Sequence, residues 1–199
     1  MTRHQQAVSL GAREAGRRLN TADLERWEID PARSSLTFTL RHLVISQIRG
    51  HFGRWGGTLF FDRKEPFLSS VQVWIELATI DTDSAERDEQ MRSSEFLDVM
   101  RHPRAGFESS SVESRDGRAL VRGRLDLHGV MHDVEVEVEP FTPPAPNGPL
   151  YRVRGKLDRQ NFGLHWNQDL DVGGVVVGDE IAVTAELALV RNGDVKDRS

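Results

Sequence analysis

From Trp27 onward, apolar and polar residues alternate with period two. Leu36, Phe38 and Leu40 alternate with Ser35, Thr37 and Thr39, the pattern of a strand with one apolar face. Leu59 to Asp62 closes a second strand after Gly56-Gly57, and Val71, Val73, Ile75 and Leu77 alternate with Gln72, Trp74, Glu76 and Ala78. Phe107 to Glu113 and Leu120 to Leu127 flank Arg115-Asp116-Gly117-Arg118, whose Asp-Gly pair supplies positive φ for a hairpin turn. Val134, Val136 and Val138 interleave with Glu135, Glu137 and Glu139, and further strands follow around Tyr151 to Leu157 and Ile181 to Val190. Antiparallel strands in this number must close or stack to hide their edges. The reading is an all-β fold in one domain, a barrel of about eight strands whose interior holds side chains or one small ligand.

One segment breaks the alternation. Ala85 to Met100 is rich in helix formers, and Asp83 with Glu86 three residues later resembles a capping pair. Asp88 and Arg92 stand at i,i+4, and Met91, Phe96, Leu97 and Met100 supply an apolar side. His102-Pro103 is expected to end the helix. A smaller helical turn is expected around Leu43 to Gln47. Five of the eight prolines fall in Pro140 to Pro149, a rigid polar loop. Residues 1–25 form an N-terminal extension in which Val8, Ala12, Ala15, Leu19 and Ala22 fall at helical spacing between arginines. Two readings fit it: a weak amphipathic helix that touches a membrane surface, or a frayed tail. The barrel domain is expected over 26–191, with a flexible tail at 192–199.

Composition narrows the function classes. The 199 residues carry 26 Lys plus Arg and 31 Asp plus Glu, a net charge of −5, which argues against nucleic acid as the main partner. The chain has no cysteine, which excludes disulfides, thiol catalysis and Cys-ligated metals. Hydrophobic residues at 38% and charged residues at 29% fit a soluble globular chain. No apolar run approaches a membrane span, and Ala7 to Ala12 is interrupted by Ser9 and Gly11, too broken for a secretory core. The expected location is cytoplasmic.

No strong catalytic motif stands out: there is no G-x-S-x-G, phosphate loop or dinucleotide fingerprint. His128 and His132 have zinc-like spacing but flank Gly129-Val130-Met131 between two strands, so turn or surface histidines are the better reading, and no metal or cofactor is expected. Arg87, Asp88 and Arg92 make either a solvated helix face or a grip on a polar ligand head, since guanidinium groups form paired bonds to phosphate. His42 with Asp88 is a weaker acid–base candidate. Phe38, Phe60, Phe107, Phe162 and Trp166 fill a core or line a tunnel. Patterning leaves both open, because a filled and a hollow barrel both need an apolar interior.

The order of motifs resembles the YceI-like family. The resemblance is carried by Trp27-Glu-Ile-Asp-Pro, Ser34-Ser-Leu-Thr-Phe, Arg41-His-Leu, Arg49-Gly-His-Phe and Ile80-Asp-Thr. It continues through Glu86-Arg-Asp, Met91-Arg-Ser-Ser-Glu-Phe-Leu-Asp-Val, His102-Pro-Arg-Ala-Gly-Phe-Glu-Ser-Ser and Gly123-Arg-Leu-Asp-Leu-His-Gly-Val. Arg159-Gln-Asn-Phe-Gly-Leu-His-Trp-Asn and Val175-Val-Val-Gly-Asp-Glu-Ile complete it. His132-Asp133, where relatives often have Arg-Pro, departs from the pattern. The resemblance implies an extended, lipocalin-like antiparallel β-barrel with one helical segment near its opening. It also implies non-enzymatic binding, storage or transport of a long-chain isoprenoid or related amphiphilic lipid. Many relatives are exported, and this chain carries its extension instead of an export signal. Contact with a membrane surface and a homodimer are further expectations.

The physics is compatible, since each five-carbon isoprene unit buried contributes about 3–4 kcal/mol, less the cost of ordering the chain. Phe38, Leu40, Val73, Ile75, Leu125, Leu127 and Val136 are the expected tunnel wall. Phe96 and Trp166 are expected near the entrance, and Arg87 and Arg92 at the head group. The alternative is a protein-interaction or stress-response module with a filled barrel. A third reading is an enzyme acting on an isoprenoid through His42 or His165 with a carboxylate.

Overall fold

Each alternating run becomes a strand in the computed structural model, which describes residues 24–42, 46–140, 150–166 and 177–191. The first half of the chain is built from bent strands. β1 (Glu25–Ile29) leads through a turn into β2 (Ser35–His42), β3 (Ser46–Phe52) into β4 (Trp55–Phe61), and β5 (Ser70–Glu76) into the short β6 (Ile80–Asp81). After helix α1 (Ala85–Arg92), the second half is a long meander: β7 (Arg104–Arg115), β8 (Arg118–Leu127), β9 (Val130–Pro140), β10 (Leu150–Asp158) and β11 (Val177–Arg191).

Antiparallel pairing runs β1–β4–β5–β7–β8–β9–β10–β11, and β11 pairs β1 again through Trp27↔Arg191 and Ile29↔Leu189. The sheet therefore closes as an eight-stranded antiparallel barrel, with a single α-helix among the described residues. Closure leaves no exposed edge along that circuit. β2, β3 and β6 extend the wall at one end, which carries α1 and is called here the helix end. The opposite, far end carries the start of β1, the β4–β5 connection, the β7–β8 turn and the end of β11.

Turn chemistry sets the registers. Asp116 (φ +53°) and Gly117 (φ +76°) make the expected two-residue hairpin. His128 (φ +56°) and Gly129 (φ +74°) repeat it between β8 and β9. Gly129 is needed there twice over, because a Cβ would also stand 2.5 Å from a ring carbon of His102.

The helix is shorter than its composition predicts. It ends at Arg92, because the Ser93 hydroxyl donates to the Gln90 carbonyl at 2.7 Å and the Ser93 N–H takes the same oxygen. Its N-cap is Ser84, not Asp83, which adopts φ +60°. Asp88 and Arg92 do not pair with each other but each bind backbone or threonine partners. Met100 is 91% exposed, off the apolar side expected for it. The turn at 43–47, the proline-rich loop, the extension and the tail fall largely or wholly outside the described residues.

The interior holds three apolar clusters, with Phe52 touching all of them. The tightest lies toward the helix end, where Leu77 and Phe162 are each 1% exposed. Elsewhere the inward wall is thinner. Val121, Val136, Gly155, Val183 and Phe38 are successive cross-strand neighbours on one inward belt. Val136, Val138, Val153 and Val183 on this wall stay only half-buried. These inward apolar side chains remain partly reachable by water.

Candidate functional site

The far end of the barrel carries a cavity. Its volume is about 320 Å³, and it is lined by Trp27, Leu59, Phe61, Tyr151 and Leu189, with Glu25 and Arg63 at its edge. The lining follows from register: Trp27 stands opposite Leu59 and Glu25 opposite Phe61, so β1 and β4 turn these side chains to one face. The size falls at the low end of the ~300–1,000 Å³ range of small-molecule sites.

The one carboxylate in this lining is heavily partnered. Glu25, its side chain 13% exposed, accepts from Arg63 Nε at 2.7 Å, from Arg191 Nη2 at 3.0 Å and from the Trp27 indole at 3.3 Å. Partial burial pushes its carboxyl upward. The bonds from Arg63 and Trp27 and the charges of Arg191 and Arg63 outweigh this and hold it below the usual carboxylate range.

At the helix end the polar groups are tied into the fold itself. Arg159, its side chain 5% exposed, donates to the carbonyls of Leu164, Trp166, Val177 and Gly178 and to Asp179. Asp88, also buried, accepts from the backbone N–H (2.9 Å) and hydroxyl (2.6 Å) of Thr82. Arg87 donates to the Thr82 carbonyl and hydroxyl, and Arg92 to the carbonyls of Ala78 and Ile80. Among the described residues no buried side-chain polar atom lacks a partner.

The expected tunnel residues are distributed over the three clusters. Phe38 and Leu40 pack with Ile80, Met91 and Val177, with Trp166 against them. Leu125 and Leu127 join Leu77 and Phe162, while Val73 and Ile75 approach Ile29, Trp55 and Leu189. Val136 lies on the half-buried belt. Phe96 and Trp166 meet with ring centroids 4.6 Å apart. The guanidinium groups of Arg87 and Arg92 hold the helix to the β6 segment through the carbonyls named above.

The described histidines lie apart from any metal geometry. His128 lies 3.3 Å from the Phe162 carbonyl, and its ring stands 4.9 Å from that of His102. The ring of His132 packs edge-on against Phe162. No group of three His, Asp or Glu among the described residues is placed to hold a metal. His165 is exposed and bonds Gln160. The His42 side chain lies outside the described residues.

Sequence reading missed the far-end group of Glu25, Trp27, Leu59, Phe61, Arg63, Tyr151 and Leu189. Its members come from four strands and the β4–β5 connection, and only the lone tyrosine, Tyr151, at the head of an alternating strand offered a local hint.

Comparison with known proteins places this geometry. A UPF0312 protein of Pseudomonas aeruginosa is 36% identical over 104 residues, 52% of this chain and 54% of that protein. The chain thus spans about half the length of that relative. Protein YceI of Salmonella newport is 38% identical over 133 residues, 65% of this chain and 70% of that protein. Among solved structures, Burkholderia cenocepacia BcnA superposes with a TM-score of 0.71 at 20% identity, covering 81% of this chain and 99% of that one. A polyisoprenoid binding domain from Saccharophagus degradans superposes with a TM-score of 0.58 at 17% identity, covering 83% and 98%. These two share the fold. The family profile of the YceI-like domain matches residues 27–189, β1 through β11, and the chain belongs to that family.

Proposed function

We propose that this protein binds a long-chain isoprenoid or a related amphiphilic lipid inside its barrel and stores or carries it without chemical change. The observation that carries the reading is the inward wall: largely apolar, closed around its circuit, half-buried over much of β9 to β11 and lining a cavity at the far end. A chain of apolar carbons removes that wall from water at about 25 cal/mol per Å², with no need for polar contacts along its length. The shared fold with a domain named for polyisoprenoid binding supports the same class of ligand. An enzyme would need titratable groups converging on the interior. Among the described residues, the cavity lining offers only Glu25, Arg63 and Tyr151.

Native mass spectrometry of the purified protein, followed by organic extraction, tests the reading. The expected result is a discrete added mass whose extract contains a C₅H₈ ladder or one long-chain amphiphile. A bare protein mass, unchanged after incubation with polyprenyl phosphates, would instead favour a filled barrel that works through a protein partner.

A further inference from the structure

We infer that the β4–β5 connection at the far end is a membrane anchor, which docks the protein on an anionic bilayer through Phe67. The inference goes beyond the cargo reading and stands or falls separately from it. Residues 62–69 are built around their own hydrogen bonds. Asp62 Oδ1 accepts from the N–H groups of Lys64 (2.9 Å) and Glu65 (3.0 Å), and the Asp62 N–H donates to the Ser69 hydroxyl at 3.1 Å. Within this frame Pro66–Leu68 makes a 3-10 turn. The Leu68 N–H donates to the Glu65 carbonyl (2.8 Å) and the Ser69 N–H to that of Pro66 (3.1 Å). On this turn Phe67 stands 62% exposed. A bonded turn thus holds an aromatic ring out in water, where its transfer into hydrocarbon is favourable.

The charges on the connection are sorted by sign. Its two cations, Arg63 and Lys64, are exposed, whereas its two acids, Asp62 and Glu65, are half-buried. Arg191, which shares Glu25 with Arg63, adds a third exposed cation nearby. Cations around a protruding aromatic match the phosphates and acyl chains of an anionic bilayer. A protein interface fits less well, since it needs about 800 Å² on each side. Among the described residues, the other large exposed apolar side chains lie elsewhere. Trp74 stands on β5 opposite Gly106, and Met100, Val130 and Met131 lie toward the helix end. One ring with a few cations gives weak, reversible attachment, as single apolar anchors do. Arg63 belongs both to this connection and to the cavity lining, so the anchor adjoins the cavity.

The test is co-sedimentation of the full chain, at low salt, with unilamellar vesicles of phosphatidylcholine alone or mixed with phosphatidylglycerol. The anionic vesicles are expected to bind about tenfold or more tighter, with the preference shrinking as salt rises. Phe67→Ala is expected to weaken that binding about tenfold and Lys64→Gln about threefold. Met100→Ala, at the helix end, is expected to leave it unchanged. Phe67→Trp keeps an aromatic ring at the tip. It is expected to bind like the unmodified chain and to add emission that lipids brominated in their acyl chains quench. Equal binding to both vesicles, binding that survives Phe67→Ala, or an added emission that stays unquenched would overturn the inference. So would a loss in Met100→Ala, which would put the contact at the opposite end. Vesicle binding and cargo are read separately. A chain that yields extractable lipid yet ignores vesicles overturns the anchor and spares the cargo reading. One that docks through Phe67 without extractable lipid does the reverse.

Discussion

The two ends of the barrel are built from the same alternating strands and reach opposite states. At the helix end Leu77 and Phe162 are fully buried, and the surrounding polar groups are tied largely to backbone carbonyls. At the far end the wall stops short of filling the space, and the charges at the rim pair with each other around Glu25. Burial of apolar side chains separates the two, and so does the use of the arginine donors: mainly into the fold's own carbonyls at one end, toward a carboxylate and solvent at the other. One end holds the shape, and the other is left able to accept something.

The largest expected effect lies at the helix end. Arg159→Ala removes the guanidinium that donates to the carbonyls of Leu164, Val177 and Gly178. It is expected to cost about 3–5 kcal/mol, the range for breaking a buried charged network, read as a drop in denaturation midpoint with m unchanged. Phe162→Ala at 1% exposure is expected to cost a comparable ~3–5 kcal/mol through the void it leaves. Leu59→Ala at the far end sharpens the contrast. It lines an existing cavity and is only half-buried, so its cost is expected to be about 1–2 kcal/mol. A cost equal to that of Phe162→Ala would mean that the far end is packed as tightly as the helix end.

Val73→Trp is a test of the hollow itself. Val73 is half-buried in the cluster that holds Trp55, Ile29 and Leu189. The larger ring is expected to cut lipid loading about tenfold or more while the fold survives, overpacking costing about 1–3 kcal/mol at most. Lipid per protein measured after extraction checks it, and unchanged loading counts against a tunnel along this wall.

The smallest effect is the pH dependence of Glu25. Its carboxyl is held below the usual carboxylate range in the folded chain by Arg63, Trp27 and Arg191. The contribution to stability is therefore complete above the ordinary carboxylate pKa and is lost as pH falls through the depressed folded value. Glu25→Gln is expected to flatten that acid limb in pH-dependent melting, and an unaltered acid limb would show that the pairing contributes nothing measurable.

Much of the fold was legible because strand alternation is local. Leu36, Phe38 and Leu40, the Asp116-Gly117 turn and the Val134–Val138 run each carry their geometry in a few neighbours. The helix length was misread because Ser93 competes for the Gln90 carbonyl, a side-chain choice invisible to the helix propensity of its neighbours. The site was less legible still. Phe38 and Val136 look alike in sequence, one buried and the other half-buried, because the difference is made by what stands across the barrel. Glu25, Arg63 and Arg191 come together only when the first strand meets the last. Arg87 and Arg92 drew attention as a charged pair on a helix, and nothing nearby in sequence indicates that carbonyls 78, 80 and 82 engage them.

β11 pairs with β10, β2 and β1, and Glu25 meets Arg191 across 166 positions of chain. A nascent chain leaving the ribosome therefore carries an unsealed trough of apolar strands until β11 has been made. Pairings at such sequence separation form slowly, and open strand edges invite aggregation meanwhile. The closing strand thus acts as a clasp: an oily guest met during synthesis would be enclosed as the clasp shuts, and would shield the trough while it waits.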